Sequence, residues 1–166
     1  MVVALPNIEP HLLETLARVS DPEIPVLTVL DLGVIRDARE IDGVIYIKLT
    51  PTYSGCPAMD VIGDDLKAAF EPLGKKVEVE LVLAPAWSTD WISEAGLQKM
   101  EAYGIARPLS EIADKDVLLG NARLVKCPQC QSTNTKMVSQ FGSTACKALF
   151  QCQDCQEPFD YFKCLK

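Results

Sequence analysis

The sequence holds a single histidine, His11, in 166 residues. A Ser-His-Asp or Cys-His site would have to take its base from that one side chain, and a catalytic metal site built from several imidazoles cannot be assembled. No stretch reaches the roughly eighteen consecutive apolar residues that a spanning helix needs, so no membrane segment is expected. The opening MVVALPNIEP has no basic stretch and meets a proline at once, so no signal peptide is expected and the chain is read as cytoplasmic. Internal repeats and low-complexity tracts are absent.

What is present bounds the class. Apolar residues make up 48% of the chain, enough to build a core. The net charge is −7, unevenly spread: residues 125–166 sum to +2 and residues 1–124 to −9. An acidic main domain is a poor partner for phosphate backbones, so nucleic-acid binding is not expected. Seven cysteines without an export signal are better read as metal ligands or reactive thiols than as a disulfide framework.

Along the chain, PHLLETLARV (10–19) spaces Leu12, Leu13, Leu16 and Val19 like a helix. His11, with carboxylates nearby, reads as a surface residue of that helix rather than a base. SDPEIP then forbids regular helix, with two prolines in close succession. Asp42-Gly43 is a hairpin signal between strands over 34–39 and 44–50. A helix is expected from Pro57 to Phe70, with Met59, Ile62, Leu66 and Phe70 on one face. VEVELVLA (77–84) alternates as a third strand, and residues 91–103 read as a further helix. This order predicts an α/β (α+β) domain with a small mixed sheet, antiparallel in the hairpin and parallel where the helix crosses over. The expected division is an α/β domain over 1–110, a linker over 111–124, with a short helix near 110–115, and a four-cysteine zinc-ribbon module over 125–166.

The tail carries two C-x-x-C pairs, Cys127 with Cys130 and Cys152 with Cys155, separated by 21 residues. Each short spacer lets both sulfurs reach one tetrahedral ion, and the second pair closes the site across a hairpin. So short a tail buries little core unaided, so a metal explains how it folds. Structural zinc is the expected metal, with iron or a cluster as the alternative for a thiolate set. Gln131 and Gln156 stand where such knuckles commonly place a glycine, at some cost in backbone strain. Cys146 and Cys164 are left over, either as small buried fillers or as a second thiol pair that handles iron.

In TPTYSGCPAM, Cys56 sits between a glycine and a proline where a strand hands over to a helix. With proline at the first helical position, Cys56 is expected at the N-cap, exposed, with free N–H groups and the positive helix end favouring a thiolate. The plainer reading is a buried thiol that caps the helix. Hydroxyls from Thr50, Thr52, Tyr53 and Ser54 are within reach in sequence. Trp87 and Trp91 read first as core, with client docking as the alternative.

The combination of SDPEIP, LDLGVI and TPTYSGCP resembles the small α/β domain of the SufT-type iron–sulfur assembly factors. APAWSTDWIS, GIARP and the tail CPQC…SQFGSTACKALFQCQDCQEPFDYFKC are similar to the PaaD (PaaJ) family, accessory proteins encoded with phenylacetyl-CoA 1,2-epoxidase. The resemblance covers nearly the whole chain; Arg107 departs from it, where a second proline is expected. It implies a non-enzymatic maturation role, with Cys56 as the functional thiol that briefly holds an iron–sulfur cluster or iron, supported by Asp21, Glu23 and Asp31 at the family's acidic positions. The implied protein clients are the reductase component, with its [2Fe–2S] cluster, and the oxygenase component, with its di-iron site. One such thiol per subunit fits a homodimer or a complex with the client. For the three acidic residues, turn and capping roles are the plain alternative. The rival functions are a scaffold that holds oxygenase and reductase together, and a thiol enzyme.

Overall fold

A computed structural model describes residues 6–120 and 125–163, which fall into two compact units divided between Gly96 and Leu97. The first unit runs through β1 (Asn7–Ile8), a 3-10 turn at Pro10–Leu12, α1 (Leu13–Leu16), β2 (Ile35–Ile41), β3 (Val44–Leu49), α2 (Ala58–Phe70) and β4 (Lys76–Leu81). The helix expected over 10–19 is shorter than its periodicity. After Leu16 the chain tightens, with Arg18 and Val19 donating to carbonyls three residues back, before the proline-rich turn.

The sheet order is β1-β2-β3-β4. β2 and β3 form the antiparallel hairpin, and both turn residues adopt positive φ, 50° at Asp42 and 78° at Gly43, the geometry that matches strand twist. β4 runs parallel to β3 without a register shift, from Val44↔Lys76 to Leu49↔Leu81, because α2 carries the chain back across. β1, not foreseen from the sequence, adds a parallel edge on β2. Ile45, Ile47 and Leu49 of β3 are buried, as are Met59, Ile62, Leu66 and Phe70 of α2. Each such side chain contributes about 1.5–3 kcal/mol by leaving water.

The LDLG segment is tied down by its surroundings. Gly33 has φ +66°, and a Cβ there would stand 2.3 Å from the Trp91 carbonyl oxygen. The Trp87 indole N–H donates to the Leu32 carbonyl at 2.8 Å, and the Arg36 guanidinium lies 3.8 Å from the Trp91 ring centroid. Trp87 is therefore a core residue, 2% exposed. Trp91 ends a 3-10 turn (Thr89–Trp91) capped by Ser88, and the helix expected from residue 91 begins later, as α3 (Glu94–Tyr103).

The second unit departs from the expected linker-plus-ribbon division. Residues 105–106 form a strand, β5, that pairs in parallel with β8 (Pro158–Phe162), and residues 111–118 form α4. The rest is an antiparallel meander of β6 (Thr135–Ser139), β7 (Lys147–Cys152) and β8, giving the order β5-β8-β7-β6. Ala106, Val117, Val125, Phe150, Phe159 and Tyr161 share one buried cluster. Phe150 stacks on Phe159 and meets Tyr161 edge-on, with centroids 5.8 and 5.5 Å apart. The Leu109 N–H donates to the Tyr161 hydroxyl. The supposed linker is thus part of the ribbon's fold, because three strands alone have too little to bury. Among the described residues no helix is long and apolar enough to cross a membrane.

Candidate functional site

Both ends of the β6–β7–β8 meander that face the cysteines are knuckles. The Gln131 N–H donates to the Cys127 carbonyl and the Cys127 N–H to the Ser132 carbonyl, each at 2.9 Å; the Cys152 N–H donates to the Glu157 carbonyl at 3.0 Å. Gln131 and Gln156 do take positive φ, 63° and 65°, as their positions required. The second knuckle is held to the first by Asp154, which accepts from the Ser132 hydroxyl and from the Asn134 amide at 2.7 Å.

This frame brings the four predicted sulfurs together, all within 4.8 Å of one another. Cys127 and Cys155 stand 3.7 Å apart, Cys130 and Cys152 3.6 Å. Four thiolates on one tetrahedral ion at about 2.3 Å stand about 3.8 Å from each other, so the donor set and its spacing fit a single ion. Cys127 and Cys152 are buried; Cys130 and Cys155 are exposed. Thiols this close do not ionise independently. The Cys155 N–H draws Cys152 down to about 7. Against the pull of the Glu157 N–H, local loss of hydration and the neighbouring sulfurs push Cys155 up to about 12. A cation relieves that conflict by replacing the protons.

The second candidate is Cys56. The chain leaves β3 at Leu49, folds through a turn in which the Cys56 N–H donates to the Tyr53 carbonyl at 3.3 Å, and enters α2. Pro57 is the N-cap and Ala58 the first helical residue, so Cys56 lies one position before the cap, not on it. It is also not exposed: its relative exposure is 8%. Burial pushes the thiol pKa up, and the carboxylates of Glu23 and Asp21 push the same way. The Ala58 N–H and the Tyr53 hydroxyl hydrogen-bond the sulfur and pull back without restoring the ordinary value. The expectation of a ready thiolate is therefore overturned. The helix end does aim an amide at the sulfur, but desolvation and two negative neighbours outweigh it.

The structure thus gathers Cys56, Asp21, Glu23 and Tyr53, and leaves Asp31 with other duties. Asp21, 7% exposed, accepts from the Glu23 and Ile24 N–H groups at 2.8 Å each, which fixes the DPE turn. Asp31 accepts from the Thr28 N–H and hydroxyl and from the Ser93 hydroxyl, while the Ser93 N–H donates to its carbonyl. It staples LDLG to the segment before α3. Thr28 and Ser93 were not singled out in the sequence; their partner lies 62 residues from Ser93, which no local pattern reports. Of the hydroxyls near Cys56 in sequence, only Tyr53 is seen to serve the thiol; Ser54 is exposed, and Thr50 is buried without a hydrogen-bond partner for its hydroxyl. His11 is on the surface, 3.3 Å from Glu40. Cys146 is 3% exposed, its sulfur 3.1 Å from the Thr144 hydroxyl, and Cys164 lies outside the described residues.

Both parts of the chain match known families. A family model for an iron–sulfur cluster assembly protein matches residues 10–81, and one for the PaaD zinc beta ribbon domain matches residues 111–163. A protein of Escherichia coli K12, named as a putative subunit of 1,2-phenylacetyl-CoA epoxidase, is 44% identical over 90% of this chain and 89% of its own length. The chain belongs to the PaaD family. A Porphyromonas gingivalis protein named Fe-S protein maturation auxiliary factor is 35% identical over 55% of this chain and 90% of its own. A solved domain of unknown function from Bacillus anthracis is 28% identical, covering 53% of this chain and 86% of that one, with a TM-score of 0.49. Membership of the PaaD family joins an assembly-type α/β domain to a ribbon whose four clustered cysteines form a metal-binding site.

Proposed function

We propose that this chain is a non-catalytic accessory factor of the cytoplasm. In this reading it delivers an iron–sulfur cluster, or iron, to the reductase or oxygenase component of a phenylacetyl-CoA 1,2-epoxidase, with Cys56 as the thiol that holds the cargo. The observation that carries it is the neighbourhood of Cys56: one buried sulfur, an amide and a phenol aimed at it, and two carboxylates in its field. The negative field that adds to burial in raising the thiol's pKa also favours a cation in the proton's place. An iron ion or a cluster edge arriving at Cys56 takes the sulfur as thiolate, and Glu23 and Asp21 offset its charge. Resting as a neutral thiol, Cys56 is a poor target for adventitious oxidation, which suits a carrier that is empty between deliveries.

Asp31 has a positioning role in this reading, because its oxygens are engaged with Thr28 and Ser93. The four tail cysteines hold one structural Zn²⁺, since sulfurs this close fit one ion better than a cluster, whose ligands radiate from several irons.

Reconstitution with iron and sulfide in the absence of oxygen tests the proposal. The wild-type chain is expected to retain iron that Cys56→Ser does not, and to raise the iron content and activity of the epoxidase components. Equal retention and equal maturation by both chains would remove the thiol from the mechanism. Activity that survives Cys56→Ser but not loss of the ribbon metal would establish a scaffold instead.

A further inference from the structure

Strand β4 is an edge of the first sheet: among the described residues it pairs with β3 and with no other strand. Val82 donates its N–H to the Leu49 carbonyl at 2.9 Å. Backbone groups alternate along a strand, so the residues in step with Val82, namely Lys76, Glu78 and Glu80, spend theirs on β3, and Val77, Val79 and Leu81 turn theirs outward. Natural edges are usually blunted by charged side chains, a proline, a bulge or a short run. Here the ladder is regular over all six residues, without proline or bulge, and its charges, Lys76, Glu78 and Glu80, alternate with the residues whose backbone groups turn outward. On the core side, Val77, Val79 and Leu81 lie in register with the buried Ile45, Ile47 and Leu49. Their own cover runs out along the strand, from 8% exposure at Val77 to 52% at Leu81 and 63% at Leu83. On the other face Lys76, Glu78 and Glu80 are exposed.

We propose that β4 is a homotypic interface: two copies of the chain pair antiparallel through β4 about a twofold axis at Glu78, joining two four-stranded sheets into one. The strand is self-complementary in that register. Val77 of one copy meets Val79 of the other, and both carry outward backbone groups, so they exchange hydrogen bonds. Lys76 of one copy stands opposite Glu80 of the other, twice by symmetry. The two Glu78 side chains face each other at the axis, each held by Lys76 of its own strand at 2.6 Å. Other registers fail on backbone direction, charge or length. A shift of one residue sets outward groups against inward ones. A shift of two toward Leu81 puts Glu78 opposite Glu80, and a shift of two toward Gly74 leaves only residues 76–78 paired strand to strand, with Glu80 opposite Gly74. Five residues of pairing on each strand bury little area, so the association belongs to the weak, concentration-dependent class.

Sedimentation velocity of the full metal-loaded chain across the micromolar range tests this. The wild type is expected to shift from monomer to dimer. K76E and E80K, whose side chains are 71% and 68% exposed, are expected to fold as before by circular dichroism. Each reverses two cross-strand pairs and should weaken the dimer by about tenfold or more. K76E and E80K in one chain restore attraction with the signs exchanged. An equal mixture of the two single variants dimerises although neither does alone. A wild type that stays monomeric would overturn the proposal, as would a dimer indifferent to either reversal, or single-variant losses that neither the double variant nor the mixture rescues.

Discussion

Removing the metal from the four-cysteine site is the most informative perturbation. Among the described residues, the second unit's buried cluster has nine buried side chains, and two of them are ligands themselves, Cys127 and Cys152, both 0% exposed. Beyond those two it rests on three aromatics and four small aliphatic residues. A structural thiolate zinc contributes on the order of 10 kcal/mol or more to folding, against a total stability of about 5–15 kcal/mol for a typical domain. Loss of the ion should therefore leave the second unit unfolded or nearly so, not merely softened. Both tryptophans, Trp87 and Trp91, lie in the first unit, so their emission reports that unit separately. The purified chain is expected to carry one zinc by elemental analysis. Titration with a strong chelator under reducing conditions should abolish amide-exchange protection across β6, β7 and β8 and the near-ultraviolet signal of the buried Tyr161, while tryptophan emission is retained. Re-addition of zinc should restore both. A second unit that keeps its exchange protection without metal would refute the reasoning, because the aromatic cluster would then suffice.

Four further outcomes are expected. Alkylation of Cys56 should have its pH midpoint above that of an ordinary thiol, and Glu23→Gln should lower it by removing a neighbouring negative charge; an unchanged midpoint in that variant would take Glu23 out of the thiol's field. The same shift has a stability sign: the folded state keeps a proton that the unfolded chain gives up, so folding stability falls as pH rises past the unfolded thiol's value of about 8.5, and Cys56→Ser flattens that fall in denaturant titrations. Gly33→Ala should destabilise the first unit by at least about 2 kcal/mol, from positive φ and the forced displacement of Trp91, measured by denaturant unfolding followed at the tryptophans. Gln131→Gly should raise the melting stability of the metal-loaded ribbon by about 0.5–1 kcal/mol by relieving a positive φ, and a loss instead would show that its side chain matters more than its backbone.

The parts of the fold that were legible beforehand are those governed by short-range chemistry. Asp42-Gly43 announces the hairpin because few other dipeptides tolerate two positive φ values. The stripe from Met59 to Phe70 announces α2 because burial on one helical face repeats every turn. The C-x-x-C pairs announce a metal because two thiols at that spacing reach one ion. Illegible were the features made by distant segments. The pairing of residues 105–106 with β8 gives no local signal, since two residues carry no periodicity, and it turned an apparent linker into a strand of the ribbon sheet. The Asp31–Ser93 bond could not be anticipated from either end.

Cys56 shows the limit most clearly. Its neighbours in sequence, a glycine before and a proline after, predict a capped, ionised thiol, and the amide they were expected to supply is there. Its neighbours in space include the carboxylates of the DPE turn, brought in from some thirty residues upstream, and its burial removes water. Electrostatics in a poorly solvated site depends on every charge nearby, whichever part of the chain it comes from. The sequence by itself therefore determined the hairpin and α2, which residue types are available and that four sulfurs can share an ion. Only the tertiary structure decided which way the acidity of Cys56, on which the proposed function depends, is pushed, because burial and the placement of distant charges exist only once the chain has folded.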